Sequence, residues 1–159
     1  MSTWLVALLC LALPVGPAVA DDRANLLGTW KLAGGEVELQ DTGERRSLYG
    51  TDRVGYIIFT HEGRMFGIIE GEPRKAPQTD EDHVRLFRTM TAYSGQYRLE
   101  GDKWITAVDV AWNPGWIGTD QVRFYKLDGD RLVVSTPWGP SPALAGKTTR
   151  VFVTWTRVK

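Results

Sequence analysis

The feature that most constrains this chain is an alternation of apolar and polar residues with a period of two, which recurs almost from end to end. The clearest example is residues 54–60, a run rich in β-branched and aromatic side chains. His61-Glu62-Gly63 follows as a tight turn, and residues 64–70 form the predicted returning strand. Because successive side chains of a strand point to opposite faces, this pattern predicts a chain built mainly of half-buried strands.

Other strands are predicted along the rest of the chain, and most of the segments between them are short and rich in turn-forming residues. These strands cover residues 26–32, 36–40, 93–100, 103–112, 119–127, 131–136 and 148–158. Eight or nine strands at such regular spacing indicate an all-β fold, which is either an antiparallel up-and-down β-barrel or a sandwich. We expect the barrel, and a barrel of about eight strands can hold one small ligand inside.

One helix is predicted in the middle of the chain, over residues 79–92. Thr79 can cap it, and three acidic residues follow in its first turn, where negative charge suits the helix dipole. Apolar residues recur at helical spacing at Val84, Phe87 and Met90. Two interpretations stay open. The helix plugs one barrel end as part of the core, or it forms a lid with Phe87 and Met90 lining the entrance.

The first twenty residues have the pattern of a secretory signal peptide. Residues 4–13 form an apolar run too short to span a bilayer as a helix, and Ala18-Val19-Ala20 is a small-x-small cleavage signal. Cleavage after Ala20 would leave one domain, residues 21–159, in the periplasm or outside the cell. The alternative is an N-terminal anchor that is not cleaved.

Composition and charge exclude several functional classes. The chain has 19 basic and 19 acidic residues and no basic stripe, so we expect no binding to nucleic acid. The single cysteine, Cys10, would leave with the signal peptide, so the mature domain would have no thiol. His61 and His83 form no recognisable zinc site, and no Gly-x-Ser-x-Gly motif is present. We therefore expect no metal, no cofactor and no stable membrane insertion after cleavage.

Several short motifs resemble the lipocalin-like domain family of bacteria and fungi, which has a calycin-type barrel. Leu27-Gly28-Thr29-Trp30 opens the first strand, and Trp155-Thr156-Arg157 lies on the last. Between them the matching stretches are residues 59–65, 92–97, 114–123 and 127–132, in the order of the family. The resemblance implies a barrel with an internal cavity. It also implies a structural role for Gly28, Trp30 and Arg157, with Arg157 packed across Trp30 to close the barrel floor.

A polar cluster is predicted where strands 103–112 and 119–127 pair. Folding them about a turn centred near Trp116 places Asp109 opposite Arg123, and cross-strand partners share one face of a sheet. If that face points inward, the cluster could orient a carboxylate or carbonyl ligand, or transfer a proton. If it points outward, the pair is a surface salt bridge. The other members of the inward cluster would be Tyr125 and either Tyr93 or Tyr97.

The predicted ligand-binding residues also include Phe87, Met90, Trp112 and Trp116. We favour an exported protein that binds a small lipophilic molecule in the barrel. One alternative is a cofactor-free enzyme of isomerase, cyclase or hydratase type, with Asp109, Arg123 and Tyr125 as candidate catalytic groups. The other is a structural or interaction domain whose barrel is filled by its own side chains. The ligand and the oligomeric state are left open.

Overall fold

The computed structural model describes residues 18–50, 53–71, 74–141 and 144–159. Residues 1–17, which make up most of the predicted signal peptide, lie outside the described residues. Within the described part of the chain, no helix is long and apolar enough to cross a bilayer.

The described residues form ten strands, two α-helices and a short 3-10 helix. The helices are α1 (Ala18–Leu26) and α2 (Asp80–Arg88), and the 3-10 turn covers Pro114–Trp116. The first five strands are β1 (Gly28–Leu39), β2 (Arg45–Ser47), β3 (Val54–Phe59), β4 (Arg64–Glu70) and β5 (Met90–Glu100). The other five are β6 (Lys103–Ala111), β7 (Asp120–Asp128), β8 (Arg131–Ser135), β9 (Gly139–Pro140) and β10 (Thr148–Arg157).

Eight of these strands close into an antiparallel barrel. Their order is β1-β3-β4-β5-β6-β7-β8-β10, and β10 returns to pair with β1. The short strands β2 and β9 lie beside β1 and β10. The predicted all-β antiparallel barrel with one helix in mid-chain is therefore confirmed, and the sandwich alternative is wrong.

Two predicted boundaries differ from the structure for reasons of tertiary pairing. The predicted strands 26–32 and 36–40 are one strand, β1, with an irregularity between Leu32 and Gly34 in its pairing with β10. The predicted helix 79–92 ends earlier, because Met90 already pairs with Glu70 in the β4–β5 ladder. Apolar residues keep their helical spacing in the sequence as far as Met90. In the structure, however, Met90 is the first residue of β5, because it pairs with β4.

The two ends of the barrel are built differently. At the closed end, tight turns join β3 to β4, β5 to β6 and β7 to β8, and α1 packs beside them. At the open end, longer connections join β1 to β3, β4 to β5, β6 to β7 and β8 to β10, and α2 belongs to one of these. The terms closed end and open end are used in this sense below.

The closed end is held by the pair that the resemblance implies. The Trp30 side chain is fully buried, and its indole Nε1 donates to the carbonyl of Leu26 at 2.9 Å. The Arg157 guanidinium lies 4.1 Å from the centre of the Trp30 ring and donates to the carbonyls of Leu27, at 2.7 Å, and Asn25. Gly28 has a φ of 109°, which favours glycine, where the chain passes from α1 into β1. Arg157 thus fastens the start of β1 to the end of β10.

Candidate functional site

The open half of the barrel contains a cavity of about 480 Å³. This volume is within the range that holds drug-sized ligands. One reason for the space is Gly67, a buried position on β4 that contributes no side chain. The described residues therefore leave space inside the barrel, as the favoured prediction of a ligand-binding cavity requires. Most lining residues are aliphatic or aromatic, among them Ile57, Met65, Ile69, Tyr93, Trp104, Trp112, Trp116, Val134, Val153 and Trp155.

Arg123 is the charged residue of the cavity lining. It is half-buried, and its guanidinium lies 5.5 Å from the centre of the Tyr93 ring and 5.7 Å from that of Trp116. Its Nη1 donates to the carbonyl of Val122 at 2.7 Å, and its Nη2 donates to Gln121 Oε1 at 3.3 Å. In the part of the chain that the structure describes, Arg123 has no carboxylate partner. Since a guanidinium carries five N–H donors, Arg123 keeps donors for a ligand oxygen.

The predicted pairing of Asp109 with Arg123 is wrong. In the β6–β7 ladder Arg123 lies opposite Trp104, five positions earlier in β6 than expected, and Thr106 lies opposite Gln121. The ladder continues to Val108, whose N–H donates to the carbonyl of Thr119, and the 3-10 turn forms inside the remaining loop. The centre of the connection between β6 and β7 therefore lies before Trp116 in the sequence, and not at Trp116 as predicted. A register change by an odd number of residues moves a side chain to the other face of the sheet.

This register places Asp109 outside the barrel. Trp104, Thr106 and Val108 are buried on the inward face of β6, while Ala107 and Asp109 are exposed. Asp109 forms a two-point ion pair with Arg64, with Nη2 at 2.6 Å from Oδ2 and Nη1 at 2.9 Å from Oδ1. The hydrogen bonds from Arg64 lower the pKa of the Asp109 carboxyl. Asp109 is therefore a surface partner of Arg64 and not part of the cavity lining.

The predicted tyrosines fall in different places. Tyr93 lines the cavity, whereas Tyr97 packs in the core with its ring 5.1 Å from that of Phe59. The Tyr125 hydroxyl donates to Asp22 Oδ2 at 3.1 Å, which ties β7 to α1. Burial, followed by the hydrogen bond to Asp22, raises the pKa of Tyr125 well above its ordinary value.

The predicted acid–base set is consequently not assembled. Asp109 lies outside the barrel, Arg123 lines the cavity, and Tyr125 is bonded to Asp22.

Three tryptophans, Trp112, Trp116 and Trp138, line the cavity at the open end of the barrel. The rings of Trp112 and Trp116 meet edge to face at 4.9 Å, and the Trp116 ring lies 5.3 Å from that of Tyr93. Trp138 is 38% exposed, and the Arg150 guanidinium lies 4.5 Å from the centre of its ring. The aromatic residues of these open-end connections therefore belong to the binding cavity.

The helix α2 is not a plug, because none of its residues is buried. Phe87 is about half exposed, and its carbonyl accepts a hydrogen bond from Trp112 Nε1 at 3.2 Å. Phe87 and Met90 both lie outside the cavity lining. The helix thus lies beside the rim of the cavity, where Phe87 contacts the cavity-lining residue Trp112.

Tyr49 belongs to the cavity lining but was not predicted from the sequence. Its backbone has a φ of 58°, and its hydroxyl shares a hydrogen bond of 2.8 Å with Thr91 Oγ1. Burial raises the pKa of the Tyr49 phenol above its ordinary value. The segment around Tyr49 carries neither strand nor helix periodicity, so no local signal points to it. Trp104 and Trp155 also line the cavity, and their only sequence signal is alternation within a strand.

Comparison with known proteins is consistent with this geometry. A family model described as lipocalin-like domain matches residues 27–158. A curated relative, the 4'-hydroxy-3'-methoxypropiophenone carrier protein of Aspergillus oryzae, is 30% identical over 106 residues. That alignment covers 62% of this chain and 86% of the relative.

Proposed function

The chain belongs to the lipocalin-like domain family, and we propose that it is a carrier that holds one small, largely apolar molecule in its barrel. The molecule carries an acidic or carbonyl oxygen, which binds to the Arg123 guanidinium. The name of the A. oryzae relative points to an aromatic ketone as that protein's cargo, and a flat aromatic body suits the ring-lined cavity of this chain.

The observation that carries this proposal is the incomplete hydrogen bonding of the Arg123 guanidinium. A cation in an apolar site is costly unless it is paired and hydrogen-bonded. Among the described residues, the guanidinium has two hydrogen-bonded partners and no carboxylate partner, and it lies within 6 Å of the centres of two aromatic rings, 5.5 Å from Tyr93 and 5.7 Å from Trp116. A ligand oxygen at this point would complete its hydrogen bonding, so Arg123 would orient a molecule that the apolar walls hold.

The test is a titration of the protein with 4'-hydroxy-3'-methoxypropiophenone, in which calorimetry and tryptophan fluorescence measure the binding. We expect saturable binding of one molecule per chain, and an affinity about 10- to 100-fold lower for Arg123→Met, because a hydrogen bond to a charged group is lost. The matched control is Arg64→Met, which removes an arginine from the outer surface and should leave the affinity unchanged. Equal losses in both variants, or none in Arg123→Met, would contradict the role of Arg123.

Native mass spectrometry of protein purified from its own compartment tests the carrier function without a chosen probe. A stoichiometric lipophilic molecule released on denaturation would support the proposal and identify the class of cargo. Protein that is empty and also fails to bind the aromatic ketone would count against a carrier.

We also propose that the carrier is exported. This rests on the apolar run of residues 4–13 and on the small residues before Asp21. Asp22, Arg23, Asn25 and Leu26 of α1 all contact the barrel, and cleavage after Ala20 would leave these four residues in the mature protein. The intact mass of the exported product should correspond to a chain that begins at Asp21, and an intact cytosolic chain would contradict export.

A further inference from the structure

We infer that Gly67 determines which ligands the cavity accepts. Its missing side chain leaves a notch in the wall formed by β4, and the flat aromatic ring of the ligand packs into this notch. This assignment rests on the proposed function, because Gly67 lines the same cavity. The ligand is then an aryl carbonyl compound, in which the oxygen that binds to Arg123 is one carbon away from the ring.

The notch lies between two large side chains of the cavity wall. In the ladders that join β4 to β3 and to β5, Gly67 lies opposite Ile57 on one side and Tyr93 on the other. All three residues line the cavity. Adjacent strands are about 4.8 Å apart, so the strands of Ile57 and Tyr93 are separated by about 9–10 Å. At this level of the barrel no side chain of β4 fills the space between them.

Neither the backbone nor the packing requires a glycine at this position. Gly67 pairs without a bulge in both ladders, and its φ lies outside the left-handed region. A Cβ added to it would lie 3.5 Å from Met65 Cε and 3.8 Å from Ile57 Cγ1, which are ordinary van der Waals contacts. Because both of these side chains line the cavity, such a Cβ would lie on the cavity side of the strand.

Two other strand glycines show the opposite situation. A Cβ at Gly55 would lie 2.5 Å from the carbonyl oxygen of Ile68, and a Cβ at Gly95 would clash with the backbone of Ala107. Neither glycine lines the cavity. A glycine inside a strand weakens the strand, and it often marks a bulge, a sharp bend or the close approach of another backbone or a ligand. Close backbones explain Gly55 and Gly95, and the approach of a ligand explains Gly67.

The position of Arg123 relates the ring of the ligand to its oxygen. The guanidinium lies 5.5 Å from the centre of the Tyr93 ring, and Tyr93 lies directly opposite Gly67. The cation and the notch therefore adjoin the same side chain. A ligand whose ring fills the notch needs only a short link between the ring and the oxygen that binds to the guanidinium. Aryl ketones and aryl carboxylates have this arrangement.

The experiment compares two ketones that differ in the ring alone. Propiophenone is ethyl phenyl ketone and 3-nonanone is ethyl hexyl ketone, so both have the same number of carbon atoms and the same carbonyl group. Gly67→Ala places a methyl group in the notch. By calorimetry we expect the affinity for propiophenone to fall about tenfold, because a rigid ring is overpacked against the methyl group. The affinity for 3-nonanone should change by less than about twofold, because its chain can adopt other rotamers.

Gly34→Ala is the matched control. Gly34 is also a glycine within a strand, and a Cβ there would lie 3.9 Å from Thr154 Cβ, so the position has room for alanine. Gly34 lies outside the cavity lining. This variant should bind both ketones as the native chain does.

Thermal melting without ligand separates a binding role of Gly67 from a structural one. Gly67→Ala should raise the melting midpoint by about 1–3 °C, because alanine loses less chain entropy on folding than glycine and the position has room for it. Gly55→Ala should lower the midpoint, because its Cβ would clash with the backbone of β4. A lower midpoint for Gly67→Ala would show that the bend of the barrel requires this glycine, and would overturn its role in ligand selection.

The binding data distinguish the failure of this role from the failure of the carrier function. Equal changes in the affinity for the two ketones in Gly67→Ala, or no change in either, would overturn the role of Gly67 and leave the carrier function standing. A native chain that binds 3-nonanone but not propiophenone would have the same meaning. A native chain that binds neither ketone, nor 4'-hydroxy-3'-methoxypropiophenone, would overturn both.

Discussion

The two halves of the barrel use the same kinds of side chain for opposite purposes. Near the closed end, Trp30 is fully buried and bonded to a backbone carbonyl, and Phe59 packs edge to face against Tyr97. Near the open end, tryptophan and tyrosine rings surround a cavity of about 480 Å³. Aromatic residues are thus core where short turns bring the strands together, and cavity wall where longer connections hold the strand ends apart.

The two α-helices show the same contrast. Leu26 of α1 is fully buried, Arg23 lies 5.4 Å from the centre of the Tyr97 ring, and Asp22 accepts from Tyr125. In α2 no residue is buried, and Val84 and Phe87 are each about half exposed. We therefore expect stability to depend mainly on the closed half and ligand affinity mainly on the open half.

The largest effect is expected on the free energy of unfolding, when one tryptophan is substituted in the closed half and one in the open half. Trp30→Ala removes a fully buried ring and should lower the free energy of unfolding by about 3–5 kcal/mol. Trp138→Ala, at the partly exposed cavity rim, should lower it by less than about 1 kcal/mol. Urea denaturation measures both values. Similar losses in the two variants would contradict the division of stability between the halves.

A smaller effect is expected at the contact between α1 and the barrel. Tyr125→Phe removes the hydrogen bond to Asp22 and should lower the free energy of unfolding at neutral pH by about 1 kcal/mol. Tyr56→Phe, on the exposed surface of β3, is the control and should have no effect. Because Tyr125 lies outside the cavity lining, neither change should alter the affinity for an aromatic ketone.

The pH dependence of this variant has a definite sign. The pKa of Tyr125 is raised in the folded state, so its contribution is complete below the unfolded value of about 10 and is lost as the pH rises through the folded value. The stability difference between the native chain and Tyr125→Phe should therefore shrink above about pH 10. A difference that grows in alkaline solution would show that the phenol is not held in its neutral form.

The closed half was easier to predict from sequence than the open half, because its signals are local. The turn at His61-Glu62-Gly63 and the bounds of β4 could be read from alternation and turn residues alone. The cross-strand partner of Arg123 could not be predicted in this way, because it depends on how the loop between β6 and β7 folds. The observed partner, Trp104, lies five positions before the predicted Asp109, and an odd shift in register moves Asp109 to the other face of the sheet. Tyr49 had no periodic signal at all, and only the tertiary fold places it in the cavity wall.

The smallest effect is expected from a substitution that tests whether Asp109 lies on the outward face of β6. Asp109→Asn removes the charge from an exposed pair, and exposed pairs contribute little because solvent screens them. The pKa of Asp109 is lowered by Arg64, so its small contribution to stability is present above the unfolded value of about 3.9 and is lost as the pH falls through the folded value. Melting midpoints of the native and variant chains should thus differ slightly at neutral pH and converge in acid. Affinity for 4'-hydroxy-3'-methoxypropiophenone should be the same in both chains. A clear loss of affinity in Asp109→Asn, with none in Arg64→Met, would place Asp109 in the cavity and reverse the assignment of inward and outward faces on β6.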